Sequence, residues 1–275
     1  MSRPADMMAA HPMTSAAFAI EAVGLTKVFS SRAAMWSKER RTVALSDVSF
    51  ELKASEMLAV VGESGSGKTT LGRLVVGLEK PNAGSIRKAG SILVDAERQT
   101  FTPPAKRGIG MIFQDPNSSL NPRMTVGDIV GEGLQLMGMN KRDRAERVAN
   151  ALDLVGLQRG DMNRYPHQFS GGQRQRIGIA RAIVVEPSVL VADEAVSSLD
   201  VSVQMQVLNL ILDIRDKLGL AVIFITHNIG VVEYLCDQVI VLSQGQVVER
   251  GSTAQVVGDP QHPYTRGLLS AVPRI

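Results

Sequence analysis

The sequence contains very little cysteine, few aromatic residues and no long apolar run. Its single thiol, Cys236, excludes an intrachain disulfide and any metal site built from several cysteines. We expect this thiol to be buried and inert, because it lies in an apolar stretch. Aromatic residues make up only 4% of the 275 residues, and the formal net charge is +3. Since no basic stripe carries interleaved aromatics, the composition does not indicate a nucleic-acid partner.

The N-terminal segment lacks the features of a secretory signal. Asp6, His11 and Pro12 interrupt any apolar stretch within residues 1–17, so we predict a disordered leader there. No segment of the chain approaches the ~18 consecutive apolar residues of a membrane helix. We therefore expect a cytoplasmic chain that reaches a membrane only through a partner.

A glycine-rich segment in the first third of the chain matches the pattern G-x-x-x-x-G-K-[ST]. An apolar run of strand length precedes it at 57–61, and helical spacing follows it. Glycines allow positive φ and close approach to phosphate, and the inward N–H groups at a helix N-terminus favour an anion. The lysine supplies a mobile charge for the β- and γ-phosphates, and the first threonine a hydroxyl for Mg²⁺. The predicted ATP-binding residues are Gly62, Glu63, Ser64, Gly65, Ser66, Gly67, Lys68, Thr69 and Thr70.

Strand and helix patterns alternate along most of the chain. Apolar runs predict strands at 18–29, 44–53, 85–94, 108–114, 189–192, 221–226 and 238–242. Helical spacing predicts helices at 125–137, 141–155 and 201–218 and one that opens at Gly171, and polar residues predict a loop at 30–42. This alternation favours an α/β fold with a mostly parallel sheet and a helical insertion.

Several polar side chains follow these predicted strands. Asp193 ends a buried strand, and the carboxyl edge of such a sheet is where α/β folds bind ligands, so Asp193 is a candidate Mg²⁺ ligand beside Thr69. Glu194 comes next and is expected to point to the other side of the strand. It is a candidate general base or water-positioning residue for attack on the γ-phosphate. His227 follows a second apolar strand, and Gln114 follows a third. An acidic strand end, a structural histidine and a solvated glutamine are the alternatives.

Five segments, in this order, resemble the motifs of ATP-binding-cassette (ABC) ATPases. Gln114 is similar to the Q-loop glutamine, Phe169–Gln173 to the signature, 189–194 to the Walker B strand, 197–200 to the D-loop, and His227 to the switch histidine. The resemblance covers nearly the whole chain. It implies an α/β P-loop NTPase core with a mostly parallel sheet, an N-terminal antiparallel β subdomain and an inserted α-helical subdomain.

The resemblance also implies a shared site. In this family the signature of one subunit completes the P-loop site of the other, so the expected active form is a head-to-tail dimer that holds two ATP molecules. The residues expected to act in trans are Ser170, Gly171, Gly172 and Gln173, and Asp200 is expected in the D-loop. Gln114 is implied to contact Mg²⁺ or the attacking water and to act as a hinge of the helical subdomain.

An adenine contact is implied at Phe29, which resembles the aromatic residue that stacks on the base. Trp36 lies nearby, and simple packing of either ring is the alternative.

The resemblance divides the chain into five parts. We expect the leader at 1–17, an ATP-binding core with the β subdomain and P-loop at 18–116, and a helical signature subdomain at 117–186. The core continues at 187–251, and a C-terminal tail occupies 252–275.

The tail carries the clearest subfamily resemblance. Residues 258–273 look like the C-terminal segment of oligopeptide, dipeptide and nickel importer ATPases, and 114–122 and 195–202 agree with that group. The implied function is an ATP-hydrolysing subunit at the cytoplasmic face of the membrane. Its partners would be a second ATPase subunit, transmembrane permease subunits and, indirectly, a substrate-binding protein. The chain lacks the cysteine cluster of many relatives, so no iron–sulfur centre is expected; a turn and a terminal helix packed on the core is the alternative for the tail.

Other functions stay open at this stage. An ABC exporter ATPase, a soluble ABC ATPase that is not linked to transport, and a nucleotide-binding regulator without turnover are the alternatives, and Glu194 and His227 argue against the last. Peptide, nickel chelate, opine and sugar-like cargo all stay open.

Overall fold

The computed structural model describes residues 18–31 and 40–270. The predicted leader at 1–17, the ring of Trp36 and the last residues of the tail lie outside these ranges. No helix within them combines the length and apolar character that crossing a bilayer requires.

A six-stranded sheet forms the centre of the fold. In spatial order its strands are β11 (Gln246–Ser252), β10 (Gln238–Ser243), β3 (Met57–Val61), β9 (Ala221–Ile225), β8 (Val189–Asp193) and β7 (Ile109–Ile112). All neighbours are parallel except β10 and β11. The predicted, mostly parallel sheet is confirmed, and the carboxyl ends of its five parallel strands meet at one edge.

A second sheet is wholly antiparallel. Its strands, in spatial order, are β2 (Arg40–Leu52), β1 (Ile20–Ser31), β4 (Ala83–Lys88), β5 (Ser91–Asp95) and β6 (Thr100–Phe101). The predicted loop at 30–42 is too long, because Ser30 pairs with Arg41 and Phe29 with Thr42. The polar side chains that suggested a loop belong to a two-stranded extension whose described side chains are exposed. The predicted strand at 85–94 is a hairpin that turns at Ala89 and Gly90.

Nine α-helices are found in the described part of the chain. They are α1 (Lys68–Val76), α2 (Pro116–Ser119), α3 (Val126–Leu136), α4 (Lys141–Leu154), α5 (Gly171–Ile183), α6 (Val201–Leu218), α7 (Ile229–Leu235), α8 (Thr253–Gly258) and α9 (Pro263–Ser270). Thr125 and Asn140 cap α3 and α4 by accepting hydrogen bonds from the N–H groups of Asp128 and Asp143. The segment between β7 and β8 contains helices and loops and no strand.

The central sheet is buried on both faces. Along β3, Met57, Ala59 and Val61 belong to an apolar cluster with α3 to α7, whereas Leu58 and Val60 belong to a second cluster with α1 and the antiparallel sheet. This burial explains the continuous apolar runs of the parallel strands. Cys236 is buried, as predicted, and burial raises the pKa of its thiol to about 12. That the thiol is inert stays a prediction.

Candidate active site

The glycine-rich loop joins β3 to α1 at the carboxyl edge of the central sheet. Gly67, at the start of α1, has φ 106°, and a Cβ atom there would lie 2.4 Å from the carbonyl oxygen of Ala44. Gly62 has φ 152°, and a Cβ atom there would lie 2.2 Å from the carbonyl oxygen of Leu242. The expectation that glycine is needed for this backbone path is confirmed at both positions.

Lys68 folds back onto its own loop. Its Nζ donates to the carbonyl oxygens of Gly62 and Glu63, both at 2.8 Å. Only 5% of the residue is exposed, and burial lowers the pKa of the ammonium group, although the carboxylates of Glu194 and Asp193 act in the opposite direction. The ammonium group of Lys68 thus lies at the N-terminus of α1. The helix dipole favours an anion at this position.

Asp193 and Thr69 meet at the base of the loop. The Thr69 hydroxyl donates to Asp193 Oδ1 at 3.2 Å. Burial raises the pKa of the Asp193 carboxyl, and the Thr69 hydrogen bond and the charges of Arg73 and Lys68 offset this only in part. The neighbouring cations thus compensate the buried carboxylate only in part. Together with the Thr69 hydroxyl, this carboxylate offers the oxygen ligands that a hard cation such as Mg²⁺ prefers.

A Mg²⁺ ion at this place would have few protein ligands. Within residues 18–31 and 40–270, no group of three or more His, Cys, Asp or Glu side chains is placed to hold a metal. Mg²⁺ sites that also use substrate phosphates need only one or two carboxylates, so the residues present fit the predicted ion.

Gln114, Glu194 and His227 converge beside the loop. Gln114 Nε2 donates to Glu194 Oε2 at 2.8 Å, and His227 Nδ1 lies 3.4 Å from Glu194 Oε1. The strand ends at Asp193, and Glu194 follows it with a left-handed backbone, φ 45°. Its carboxylate lies close enough to Lys68 to act on the pKa of that ammonium group. That Glu194 points to the other side of the strand from Asp193 stays a prediction.

These side chains surround one cleft of about 610 Å³. Its walls come from the glycine-rich loop, the start of α1, the strand segment at 42–44, and the residues Gln114, Glu194 and His227. Cation, hydroxyl, amide, imidazole and carboxylate groups are therefore within reach of a single bound triphosphate. This is the chemical set that phosphoryl transfer to water requires.

The signature residues are not part of this cleft. Ser170 caps α5, because its hydroxyl accepts from the N–H of Gln173 while Gln173 Oε1 accepts from the N–H of Ser170. Ser170, Gly171 and Gln173 are exposed, and Gly172 packs against Val203. Asp200 precedes α6, is exposed, and makes no side-chain capping hydrogen bond. None of these residues lines the cleft around Lys68.

Phe29 also lies outside the lining of the cleft. It pairs across the hairpin with Thr42, which does line the cleft, and its ring is 39% exposed. Lys27 Nζ lies 4.8 Å from the ring centroid. The adenine contact at Phe29 stays a prediction.

Sequence reasoning missed one contact with the loop. The hydroxyl of Tyr264, in α9, accepts a hydrogen bond from the backbone N–H of Glu63 at 3.0 Å. The two residues are 201 positions apart, and a tyrosine in a terminal helix carries no local signal of such a contact. The sequence indicated the tail as a subfamily feature or as a turn and a terminal helix packed on the core, and neither prediction included a contact with the loop.

Two family models match this chain, and both describe transporter proteins. The model of the family described as "ABC transporter" matches residues 45–197, and that of "Oligopeptide/dipeptide transporter, C-terminal region" matches residues 248–275. The dipeptide transport ATP-binding protein DppF of Haemophilus influenzae is 45% identical over 93% of this chain and 78% of that protein. A putative peptide import ATP-binding protein of Brucella ovis is 49% identical over 91% of this chain and 77% of that protein.

Solved structures share the fold. A dimeric post-hydrolysis state of the ATP-binding cassette MJ0796, bound to ADP and Pi, superposes with a TM-score of 0.71 at 26% identity, covering 85% of this chain and 98% of that one. The protein cbiO1 from Clostridium perfringens, part of the ABC transporter complex cbiONQ, gives a TM-score of 0.72 at 28% identity over 88% of this chain and 91% of that one. The loop, the fold and the relatives agree, and this chain belongs to the ABC transporter family as an ATP-binding, ATP-hydrolysing cassette.

Proposed function

We propose that this chain is the ATP-hydrolysing subunit of a peptide importer. The observation that carries the proposal is the match of residues 248–275 to the C-terminal region of oligopeptide and dipeptide transporters. The full-length relatives support it, because those from Haemophilus influenzae and Brucella ovis are named for dipeptide transport and peptide import. Peptide is therefore the favoured cargo class over nickel chelates, opines and sugars.

The residues of the cleft divide the chemical work. Lys68 holds the triphosphate together with the N–H groups of residues 62–70 other than that of Glu63, which donates to the Tyr264 hydroxyl. The ammonium leaves its carbonyl partners for the β- and γ-phosphates. Thr69 and Asp193, with Gln114, would hold Mg²⁺, which neutralises phosphate charge when it is bound. Glu194 orients the attacking water and accepts its proton, and His227 contacts the γ-phosphate.

The active form in this proposal is a dimer. The exposed Ser170–Gln173 segment lies outside its own chain's cleft, and a structural relative forms a dimer bound to ADP and Pi. A second ATPase subunit, either identical or different, would bring its signature over the cleft, and Asp200 would lie at the same interface. Closure on ATP and reopening after hydrolysis would move permease subunits at the cytoplasmic face of the membrane, while a substrate-binding protein delivers the cargo outside.

Reconstitution with permease subunits tests the transport step. The chain is placed in proteoliposomes with the permease subunits and the substrate-binding protein of a peptide importer, with ATP on the side of the cassettes. We expect peptide-loaded binding protein to stimulate hydrolysis and peptide uptake together, and Lys68→Ala to abolish both. Stimulation by free cargo without any binding protein would instead identify an exporter, and hydrolysis that is indifferent to both permease and cargo would identify an ATPase unconnected with transport.

A further inference from the structure

The C-terminal tail reaches the phosphate-binding loop through a single side chain. Tyr264 is the second residue of α9, and its hydroxyl accepts from the N–H of Glu63 at 3.0 Å. The ring is half-buried and packs with Leu268 and Leu269 against the core cluster on the helical side of the central sheet. Packing of the ring limits the movement of the hydroxyl.

The N–H that Tyr264 binds belongs to the same peptide group as a carbonyl that holds Lys68. A peptide group is planar, so the Glu63 N–H and the Gly62 carbonyl turn together as one rigid unit. The Gly62 carbonyl oxygen accepts from Lys68 Nζ at 2.8 Å. Tyr264 and Lys68 therefore bind opposite sides of the same planar peptide group, one at its N–H and the other at its carbonyl oxygen.

This peptide group needs an external partner to stay in place. Its orientation depends on the backbone torsions of Gly62 and Glu63, and glycine resists rotation least of all residues. The close approach of Gly62 to Leu242 forbids a side chain that would stiffen the backbone there. A hydrogen bond from outside the loop supplies the constraint that the loop sequence cannot.

The tail itself is anchored to the edge of the central sheet. Glu249, in β11, accepts from the N–H groups of Gln261 at 2.7 Å and His262 at 3.1 Å. His262 Nδ1 in turn accepts from the N–H of Tyr264 at 3.1 Å, and the next residue, Thr265, is 1% exposed. A continuous set of contacts thus runs from the sheet edge through the tail to the loop.

We propose that Tyr264 is a positioning residue for ATP binding, which holds the Gly62–Glu63 peptide group in one orientation both before and after the nucleotide binds. The inference rests on the proposed phosphate-binding role of Lys68. Without the hydroxyl, the loop samples other orientations of this peptide group and must be ordered when the nucleotide binds. The cost falls on ATP affinity, because Tyr264 is outside the lining of the cleft and touches no reacting group.

The test removes the hydroxyl alone. Tyr264→Phe keeps the ring. Tyr234→Phe is the matched control, since the exposed Tyr234 hydroxyl donates to Asn209 at 2.8 Å and neither residue lines the cleft. Isothermal titration with ATP gives Kd, and phosphate release gives KM and kcat. We expect Kd and KM to rise about five-fold in Tyr264→Phe, the effect of one hydrogen bond, with kcat within two-fold of the parent and no change in Tyr234→Phe. A Kd within two-fold of the parent, or an equal rise in the control, would overturn the inference.

A second variant tests the path through the tail. Glu249→Ala frees the tail without touching the loop, and we expect it to raise Kd for ATP in the same direction. Combined with Tyr264→Phe, its effect should be less than additive, because both act through one hydroxyl; full additivity would contradict that path. Lys68→Ala distinguishes a failure of the proposed phosphate site from a failure of the role of Tyr264. If it leaves ATP affinity intact, the proposed site fails, whereas a defective Lys68→Ala beside a normal Tyr264→Phe refutes only the role of Tyr264.

Discussion

At the scale of single residues, the backbone and the side chain of Glu194 are both held in place. Its left-handed conformation costs of the order of 1–3 kcal/mol, and it is maintained by a hydrogen bond from its N–H to Ile225 and two from Ser197 to its carbonyl oxygen. Gln114 and His227 hold the carboxylate from two sides. A carboxylate fixed this way, at the edge of the cleft, can orient a water molecule without first being ordered itself.

Glu194→Gln tests this carboxylate as the proton acceptor. The amide keeps the shape and one oxygen but accepts a proton poorly, so ATP binding should persist and turnover should fall about 10²–10⁴-fold. Phosphate release measures turnover, and size-exclusion chromatography with light scattering should detect a dimer that accumulates with ATP. The exposed Glu97→Gln is the control and should behave as the parent. Unchanged steady-state hydrolysis in Glu194→Gln would refute the assigned mechanism.

At the scale of elements, α1 is held at both ends. The glycine-rich loop precedes it, and at its other end Arg107 donates through Nη1 to the carbonyl oxygens of Leu74 and Val75 at 3.0 and 2.8 Å. Arg107 is 1% exposed, and burial lowers the pKa of its guanidinium to about 10. Its cation satisfies carbonyls at the negative end of the helix dipole. Gly77 follows the helix with φ 92° and leaves no room for a Cβ atom beside the guanidinium.

Arg107→Lys should loosen this end of α1. Lysine keeps the charge but cannot form the same fork of hydrogen bonds, and the buried carbonyls lose partners at a cost of about 2–4 kcal/mol. Urea unfolding should show a lower midpoint with an unchanged m-value. Arg98→Lys, whose side chain is 74% exposed and pairs with Asp95, should leave the midpoint where it is. Equal midpoints for the two variants would mean that the buried fork does not stabilise the helix.

Elements with a strong local pattern could be predicted from the sequence, and contacts between distant segments could not. Helix α6 runs from Val201 to Leu218 as predicted, because apolar periodicity and Gly219 at its end are local signals. The pairing of Ser30 with Arg41 and of Ser31 with Arg40 was missed, since exposed polar strands have the composition of a loop. The contact of Tyr264 with Glu63 depends on how β11 and the tail return to the sheet, which no short pattern encodes. The positions of Lys68, Asp193 and His227 were predictable because parallel strands end at a common edge.

At the scale of the whole molecule, the cleft and the signature are separate surfaces of one chain. The cleft around Lys68 is lined by its own loop and by the carboxyl edge of the sheet, whereas Ser170 and Gln173 lie exposed at the start of α5. Two surfaces on one subunit that complete each other across a two-fold axis give a closed dimer with two equivalent sites. ATP affinity of an isolated chain and hydrolysis by the dimer should therefore depend on different residues.

Ser170→Asp separates those two properties. Aspartate is as good a helix N-cap as serine, so α5 should keep its start, but the new negative charge would face the γ-phosphate held by the partner chain. We expect Kd for ATP within two-fold of the parent under conditions in which the chain is monomeric. We expect hydrolysis to fall about 10²–10³-fold, because that is the usual effect of losing one stabilising contact to the transition state. Ser252→Asp is the matched control, because Ser252 caps α8 with the same reciprocal box, formed with Gln255, and it should hydrolyse ATP as the parent does. If Ser170→Asp hydrolyses ATP normally, or if it loses ATP affinity as a monomer, the signature does not act on a partner's nucleotide, and the site of this protein is complete within one chain.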